Sequence, residues 1–344
     1  MVNRSFCVFL AQNLAELPPL SMNPAVFADA LLNQIKTAHY GDHPPELYDP
    51  IQYIMDLGGK RLRPLMTLLA VYLFTDDWQK ALKPALAVEV FHNFTLMHDD
   101  IMDQAPLRRG QPTVHEKWNH NIAILSGDVM LVNAYELLLD VETPILKRVL
   151  ARFNRTAAEV CEGQQLDMNF ETRDNVTEAE YIEMIKLKTS VLLGFALELG
   201  GIIARADDES VAHLREGGIN IGIGFQLKDD LLDVYGDPVK FGKQVGGDII
   251  ANKKTFMLIE ALEKADGPIK TELLDWLSRI EFNKAEKVRA VTSIYDQLGI
   301  RQIAETRIDA YFASGFANFE QVLAQPARKA LLIDFATQLI QRES

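Results

Sequence analysis

Two copies of one acidic pattern constrain this chain more than any other feature. The segments DDIMD at residues 99–103 and DDLLD at residues 229–233 each place three aspartates at positions i, i+1 and i+4. On a helix this spacing gathers the three carboxylates within an arc of about 100°. Apolar residues surround both copies, so neither helix can be solvated on all sides. Carboxylates crowded at the edge of a core repel one another, and a bound cation is the usual compensation.

The rest of the chain is patterned for helices. Apolar residues recur every three or four positions almost throughout, as at Ile122, Leu125, Val129 and Val132, and alternating strand patterns are scarce. Glycine and proline divide the chain into intervals of helix length. No Ser- or Gly-rich linker interrupts the 344 residues. We therefore predict an all-α fold of about ten or more helices in a single domain spanning residues 1–344.

Composition restricts the partners and the compartment. The chain is 48% hydrophobic and 24% charged, which is typical of a soluble globular protein. Its net charge of −13 argues against a nucleic-acid partner. Two cysteines are too few for a disulfide framework, which favours a cytoplasmic location. The apolar run at residues 6–10 is too short for a signal peptide, and no later segment predicts stable membrane anchoring.

Basic residues accompany both acidic runs. The segment GGKRLRP at residues 58–64 puts three cations beside two glycines and before a proline, an arrangement typical of anion-binding helix starts. A second basic loop, RRGQPT, occupies residues 108–113, and further lysines follow at Lys188, Lys243 and Lys253. Taken alone, each could be a solvated surface charge or part of a salt-bridge network, and the residues leave both alternatives open.

Together the acidic and basic groups indicate one kind of chemistry. Clustered carboxylates without a dedicated set of His or Cys favour a hard cation, and Mg²⁺ is usually completed by water and by substrate phosphates. Cations around a diphosphate stabilise the charge that it gains as a leaving group, while a dry apolar cavity protects a carbocation. The pattern therefore predicts ionisation of an allylic or similar diphosphate.

The same residues resemble the motifs of the trans-isoprenyl diphosphate synthase, or polyprenyl synthetase, family. Residues 98–103 with 107–110 look like the first aspartate-rich motif of that family, and residues 225–233 look like the second. Its other markers are similar in order and spacing, at residues 58–64, 163–167, 188–189 and 242–255. The resemblance implies an all-α, multi-helix bundle around a deep central cavity, the isoprenoid synthase type.

The resemblance also implies roles for individual residues. It gives a catalytic set of Asp99, Asp100, Asp103, Asp229, Asp230, Asp233, Arg108 and Lys188. The metal ligands would be Asp99, Asp103 and Asp229, with about three Mg²⁺ ions per active site. The allylic diphosphate would be held by Arg108, Lys188, Thr189, Gln226, Lys243 and Lys253. Isopentenyl diphosphate, the five-carbon nucleophile, would be held by Lys60, Arg63, His92 and Arg109. His92 lies two helical turns before Asp99, although a lone histidine is more often part of a core.

Product length is expected to depend on the residues just before the first acidic run. Phe94 and Thr95 lie five and four residues before Asp99. Five residues of helix span about 7.5 Å, so the Phe94 ring could form the floor of the cavity, or it could be ordinary core packing. Residues 99–103 carry no insertion. This combination looks most like synthases of the twenty-carbon, geranylgeranyl diphosphate, with the fifteen-carbon, farnesyl type as the alternative.

Three other functions share some of these features. A metal-dependent phosphohydrolase could use His92 with His98 and Asp99, but it leaves the second acidic run unexplained. A terpene cyclase shares the first run and the fold, but usually has a different second metal motif. A non-catalytic binding or regulatory subunit typically lacks an Asp or Arg of these motifs, and none is missing here. The resemblance to the synthases further implies a homodimer.

Overall fold

The protein is α-helical wherever its structure is described. The computed structural model describes residues 23–236 and 245–341. In chain order the α-helices are α1 (Pro24–Thr37), α2 (Pro45–Asp56), α3 (Leu62–Tyr72), α4 (Leu82–Met102), α5 (Val114–Lys117), α6 (His120–Leu138), α7 (Thr143–Glu171), α8 (Glu178–Ile185), α9 (Val191–Ile203), α10 (Asp208–Tyr235), α11 (Gly247–Ile250), α12 (Phe256–Lys264), α13 (Gly267–Ser278), α14 (Lys284–Gln297), α15 (Ile300–Gln321) and α16 (Pro326–Gln341). The all-α prediction is confirmed.

Three shorter elements complete this part of the chain. A 3₁₀ turn, Trp78–Ala81, precedes α4, and a π turn, Lys186–Ser190, joins α8 to α9. Strands β1 (Leu107–Arg108) and β2 (Gln111–Pro112) form an antiparallel hairpin after α4, with Arg108 opposite Gln111. Arg109 and Gly110 between them both have positive φ, as a two-residue hairpin turn requires. The hairpin therefore holds the basic loop close to the end of α4.

Helix α9 lies at the centre of the bundle. All of its residues are buried, and apart from Glu198, which pairs with Arg152, its sequence is apolar around the whole helix, as expected of a helix with no solvent face. It packs between α3 and α10, while α4 packs on α6 and α10 packs on α15. The buried apolar side chains of the two described ranges form one continuous cluster. This cluster supports the single domain predicted for residues 1–344, which stays a prediction.

Helix α6 differs from the other long helices in its exposed apolar face. Among the helices described, it alone is long and apolar enough to cross a membrane, although only 33% of that window is buried and soluble core helices meet the same criterion. Leu125, Val132 and Leu139 are 57%, 56% and 58% exposed. They are seven residues apart and therefore form one stripe along the helix surface.

Candidate active site

Both acidic runs lie at the C-terminal ends of long helices. The first closes α4, with Asp103 as its C-cap residue, and the second occupies the last two turns of α10. The negative end of the helix dipole adds to the repulsion among these carboxylates. Neither helix has a basic residue in its last turn to offset it. The local structure therefore makes both runs places where an added cation is stabilising.

Asp99 shows the effect of this crowding. Burial raises the pKa of the Asp99 carboxyl to about 6, with Lys188 opposing the shift and Asp103 adding to it. Lys188 itself donates to Asp167 at 2.5 Å. Asp99 thus lies beside both a cation that could hold a diphosphate and a second carboxylate. This combination suits a carboxylate that binds a metal together with an anionic substrate.

Asp100 anchors the basic hairpin. It is 3% exposed and accepts two hydrogen bonds from Arg108, at 2.7 Å from Nε and 2.7 Å from Nη2. This bidentate geometry fixes both the position and the plane of the guanidinium. Asp100 therefore holds Arg108, a residue predicted to bind the allylic diphosphate, in one position.

The second run has a different buried partner. Asp230 is 4% exposed; the Tyr181 hydroxyl donates to its Oδ2, and the Gln226 amide donates to its Oδ1 at 3.3 Å. Burial raises the pKa of Asp230 to about 7, the hydrogen bond from Tyr181 works to lower it, and Asp248 raises it further. Tyr181 was not predicted, because in the sequence it looks like any core aromatic residue of α8.

Asp233 connects the second run to the segment that follows it. Its Oδ2 accepts a hydrogen bond from the backbone N–H of Asp248 at 3.0 Å, and its carbonyl accepts one from Gly246 at 2.6 Å. Asp229, by contrast, is exposed. The three aspartates of this run therefore differ in environment: one is exposed, one is buried on Tyr181, and one anchors residues 246–248.

Lys253 lies near carboxylates of both acidic runs. Desolvation works to lower the pKa of its ammonium, but the carboxylates of Asp167, Asp248, Asp230 and Asp103 raise it above its ordinary value. Asp103 belongs to the first run and Asp230 to the second, so one lysine interacts with both. Lys243, also predicted here, lies outside the described residues.

The π turn places Lys188 and Thr189 between two glycines. A side chain at Gly163 on α7 would overlap the backbone of Lys188, and one at Gly222 on α10 would lie 2.7 Å from the Cβ of Ser190. Both helices can therefore approach the turn closely. Single π turns inside helices are frequent at functional sites, because they redirect one or two side chains.

A second group of cations lies at the start of α3. Arg63 Nη1 is 3.3 Å from Nε2 of His92, and Arg63 Nη2 donates to the Thr189 carbonyl at 3.4 Å. Burial, and then the nearby arginines, lower the pKa of His92 well below its usual value. His92 is therefore neutral, and its Nε2 accepts from Arg63. Arg109 donates to the Gly58 carbonyl, so the two basic loops touch, while Lys60 is exposed.

Sequence reasoning missed one buried pair behind this group. Arg61 donates to the carboxylate of Glu89 and to the carbonyl of Met55, and both charged side chains are almost fully buried. Arg61 also has a positive φ of 48° at the N-cap of α3. The pair fixes the turn from which Arg63 projects. The one available sequence signal for this pair was Glu89, a single carboxylate within the apolar part of α4.

The residues before the first run form a ladder of rings. Phe94 is partly buried, with its ring centre 4.8 Å from His98 and 5.6 Å from Phe91. Phe91 in turn lies 5.1 Å from Phe153 of α7. Thr95 donates its hydroxyl to the His92 carbonyl at 2.8 Å. Phe94 therefore rests on a supported aromatic stack that leads away from the carboxylates.

The donor set fits a metal that is bound together with its substrate. Within residues 23–236 and 245–341, no three His, Cys, Asp or Glu side chains converge closely enough to hold a metal ion by themselves. Asp99 and Asp103 nevertheless repel one another at the negative end of α4. These oxygen ligands are too few to enclose a cation by themselves, and basic side chains that could bind a diphosphate surround them. Such a set suits Mg²⁺ whose coordination is completed by phosphate oxygens.

Comparisons with known proteins agree with this geometry. Residues 44–296 match the Polyprenyl synthetase family profile. The geranylgeranyl diphosphate synthase of Methanosarcina mazei is 40% identical over 302 residues, covering 87% of this chain and 91% of that protein. A crystal structure of a geranylgeranyl pyrophosphate synthase superposes with a TM-score of 0.89 at 45% identity, covering 94% of this chain and 100% of that chain.

A further solved structure bears on the metal. The geranylgeranyl pyrophosphate synthase of Corynebacterium glutamicum, complexed with isoprenyl diphosphate and magnesium, superposes with a TM-score of 0.80 at 28% identity. The superposition covers 94% of this chain and 100% of the Corynebacterium glutamicum chain. These matches confirm the resemblance and the isoprenoid synthase fold that it implied.

Proposed function

This chain belongs to the polyprenyl synthetase family, and we propose that it condenses isopentenyl diphosphate with an allylic diphosphate to make geranylgeranyl diphosphate. The observation that carries the proposal is the interaction of Lys253 with carboxylates of both acidic runs. It supports one shared diphosphate site between α4 and α10. A separate cationic group around Arg63 and His92 is available for the second diphosphate.

The reaction follows from this division of charge. Lys188, Lys253 and Arg108 hold the allylic diphosphate, helped by Thr189 and Gln226 and, outside the described residues, by Lys243. Asp99, Asp103 and Asp229 would hold Mg²⁺, about three ions per site, and when bound these ions would supply the positive charge that makes this diphosphate a leaving group. Arg63, His92, Lys60 and Arg109 orient isopentenyl diphosphate against the allylic carbon.

Bond making and proton loss complete the cycle. The allylic carbon–oxygen bond breaks, and the isopentenyl double bond attacks the allylic carbon to form the new carbon–carbon bond. The positive charge then lies on the tertiary carbon of the isopentenyl unit, and loss of a proton from the carbon beside it restores a double bond. The released diphosphate is the base that takes this proton. His92 is neutral and accepts a hydrogen bond from Arg63, so it serves to orient the guanidinium.

The product length is proposed from the position of Phe94. The ring ladder of Phe94, Phe91 and Phe153 supports a rigid floor below the first run. A floor of this kind stops a growing isoprenoid chain when its tail reaches the ring, and Thr95 lies beside it. The names of the relatives, geranylgeranyl diphosphate synthases, support the twenty-carbon product.

We further propose that the enzyme is a cytoplasmic homodimer. The stripe of Leu125, Val132 and Leu139 on α6 is apolar and exposed, which is typical of a surface that a second subunit covers. Sedimentation velocity measures this directly: the wild-type protein should sediment as a dimer and the Val132→Glu variant as a monomer. A wild-type monomer would reject the proposal.

The decisive experiment is a product assay. Purified protein with Mg²⁺, farnesyl diphosphate and labelled isopentenyl diphosphate should yield labelled geranylgeranyl diphosphate, and addition of a chelator should stop the reaction. If geranyl diphosphate is elongated but farnesyl diphosphate is not, the product is farnesyl diphosphate. If no allylic primer is elongated, the synthase proposal is wrong.

A further inference from the structure

Lys287 on α14 is a buried cation for which the proposed reaction has no direct use. It is 0% exposed, and its ammonium has no carboxylate within ion-pair distance among the residues of the two described ranges. Its Nζ donates to the Asn252 side-chain oxygen at 2.6 Å and to the Ile250 carbonyl at 3.4 Å. Burying an ammonium without a counter-ion is unfavourable, and here it is stabilised by these two oxygens and by the Phe282 ring, whose centre lies 4.2 Å from Nζ.

The groups that Lys287 binds belong to the end of helix α11. Ile250 is the last residue of α11, so its carbonyl has no partner within the helix, and a cation there is favourable. Asn252 has a left-handed φ of 54°, and its amide donates to the Leu277 carbonyl at 2.9 Å. Lys287 therefore ties this strained turn to α14 while Asn252 ties it to α13.

The other end of the same segment is also fixed. Gly246 has a φ of 83°, and a Cβ on it would lie 2.6 Å from Val288, the neighbour of Lys287. Asp233 holds the backbone of Asp248, as described above. Residues 246–252 are thus attached to α10 at their start and to α14 at both ends.

Lys253 is the residue that follows this attached segment. Its backbone N–H donates to the Asp248 carbonyl at 2.9 Å. The direction of its side chain therefore depends on the turn that Lys287 and Asn252 hold. Lys253 is the cation that interacts with carboxylates of both acidic runs.

We propose that Lys287 is a positioning residue that sets Lys253 for the allylic diphosphate. The role rests on the proposed function, because it matters only if Lys253 binds that diphosphate. Without the ammonium, the partly buried Ile250 carbonyl and Asn252 side-chain oxygen each lose a donor. The turn can then relax, and a displacement of about 1 Å at Lys253 is enough to weaken a charge-assisted contact.

Steady-state kinetics of the full-length protein test the role. Lys287→Met keeps the length of the side chain and removes its charge. It should raise the KM for farnesyl diphosphate by about tenfold, as expected for the loss of one charge-assisted contact. The KM for isopentenyl diphosphate, whose binding group lies around Arg63, should change by less than about twofold. In a Lys253→Ala background, Lys287→Met should add almost nothing to the KM for farnesyl diphosphate.

A purely structural role gives different results. If Lys287→Met lowers Tm but leaves both KM values at the wild-type level, the positioning role is wrong. The same holds if the effects of Lys287→Met and Lys253→Ala multiply in the double variant. If Lys287→Met does not fold, Asn252→Gly replaces it, since glycine accepts the left-handed backbone while Lys287 loses its acceptor. An unchanged KM for farnesyl diphosphate in Asn252→Gly also overturns the role.

Lys284→Met is the matched control. Lys284 is exposed on the first turn of the same helix, so its replacement should leave both KM values unchanged. If the wild-type protein elongates no primer, the proposed function fails, and binding of inorganic pyrophosphate with Mg²⁺ then tests Lys287 instead. Lys287→Met should weaken this binding by about the same tenfold, and equal affinity would reject the positioning role.

Discussion

The two acidic runs share one sequence pattern but differ in what their middle aspartate contacts. Asp100 pairs with the guanidinium of Arg108, a full positive charge, through two hydrogen bonds of 2.7 Å. Asp230 instead meets two neutral donors, the Tyr181 hydroxyl and the Gln226 amide. In the first run, therefore, the buried carboxylate holds the guanidinium of Arg108, which we propose binds the allylic diphosphate. The other keeps a carboxylate whose charge is only partly compensated, and whose pKa is raised to about 7.

The largest expected difference between the runs is in their response to loss of this charge. Asp100→Asn leaves Arg108 partly buried without its counter-ion, which typically costs 3–5 kcal/mol (~10³-fold in kcat/KM if Arg108 is displaced). Asp230→Asn keeps an oxygen that accepts from Tyr181, so we expect a loss of about tenfold or less. Kinetics of both variants with farnesyl and isopentenyl diphosphate measure the difference. Equal losses of kcat/KM in Asp100→Asn and Asp230→Asn would show that the two middle aspartates have the same role.

The runs also differ in the residue five positions before them. Phe94 precedes the first run as part of the ring ladder, whereas Gly224 precedes the second and packs against Phe312 of α15. A Cβ on Gly224 would lie 2.6 Å from the Phe312 ring. This packing supports the proposal that the tail of the product extends along α4 and not along α10, whose face at Gly224 is covered by α15.

Substitutions at these two positions should separate product length from stability. Phe94→Ala opens the floor, and chromatography should show products longer than twenty carbons. Gly224→Ala overpacks the contact with Phe312, which should destabilise folding by about 1–3 kcal/mol without lengthening the product. Longer products from Gly224→Ala, or unchanged products from Phe94→Ala, would contradict the assignment of α4 as the helix that lines the tail.

Tyr181 offers a sharper test of the second run. Tyr181→Phe removes the hydroxyl and leaves the buried Asp230 with one donor fewer, which costs about 1–3 kcal/mol in such sites. Because Asp230 adjoins Asp229, we expect about a tenfold fall in kcat/KM and a higher Mg²⁺ concentration for half-maximal rate. Tyr135→Phe removes a hydroxyl that bonds Asn154 on an exposed surface, and it should do neither. An unchanged Mg²⁺ requirement in Tyr181→Phe would mean that Tyr181 serves packing alone.

The residues that the sequence predicted and those that it missed differ in how far along the chain their partners lie. Helical periodicity and the i, i+1, i+4 aspartates are local patterns, so they predicted the all-α fold and both acidic runs. Tyr181 reaches Asp230 across 49 residues, Lys287 reaches Asn252 across 35, and Arg61 reaches Glu89 across 28. In the sequence each looks like an ordinary aromatic or charged residue. Which of them is buried, and against what, depends on the packing of helices that no local pattern specifies.

The smallest expected effect concerns stability and pH in the metal-free protein. Asp99 and Asp230 have folded-state pKa values raised to about 6 and about 7, above the ordinary aspartate value. The folded state therefore binds more protons than the unfolded state between about pH 4 and pH 7, and each group destabilises folding as the pH rises through that range. With chelator present, Tm should rise by a few degrees on acidification from about pH 8 to pH 5.5, net of other groups.

The comparison with Asp230→Asn isolates the second run from other titrating groups. Its amide cannot titrate, so the variant should lose part of the rise in Tm on acidification, and Asp99→Asn should lose a smaller part. Mg²⁺ with inorganic pyrophosphate should flatten the wild-type curve, because the bound cations favour the ionised carboxylates. Parallel curves for wild type and Asp230→Asn would show that Asp230 is already ionised near pH 6. The middle aspartates of the two runs would then carry the same charge despite their different partners. Pairing with Arg108 or with Tyr181 would then change the geometry of the carboxylate but not its ionisation.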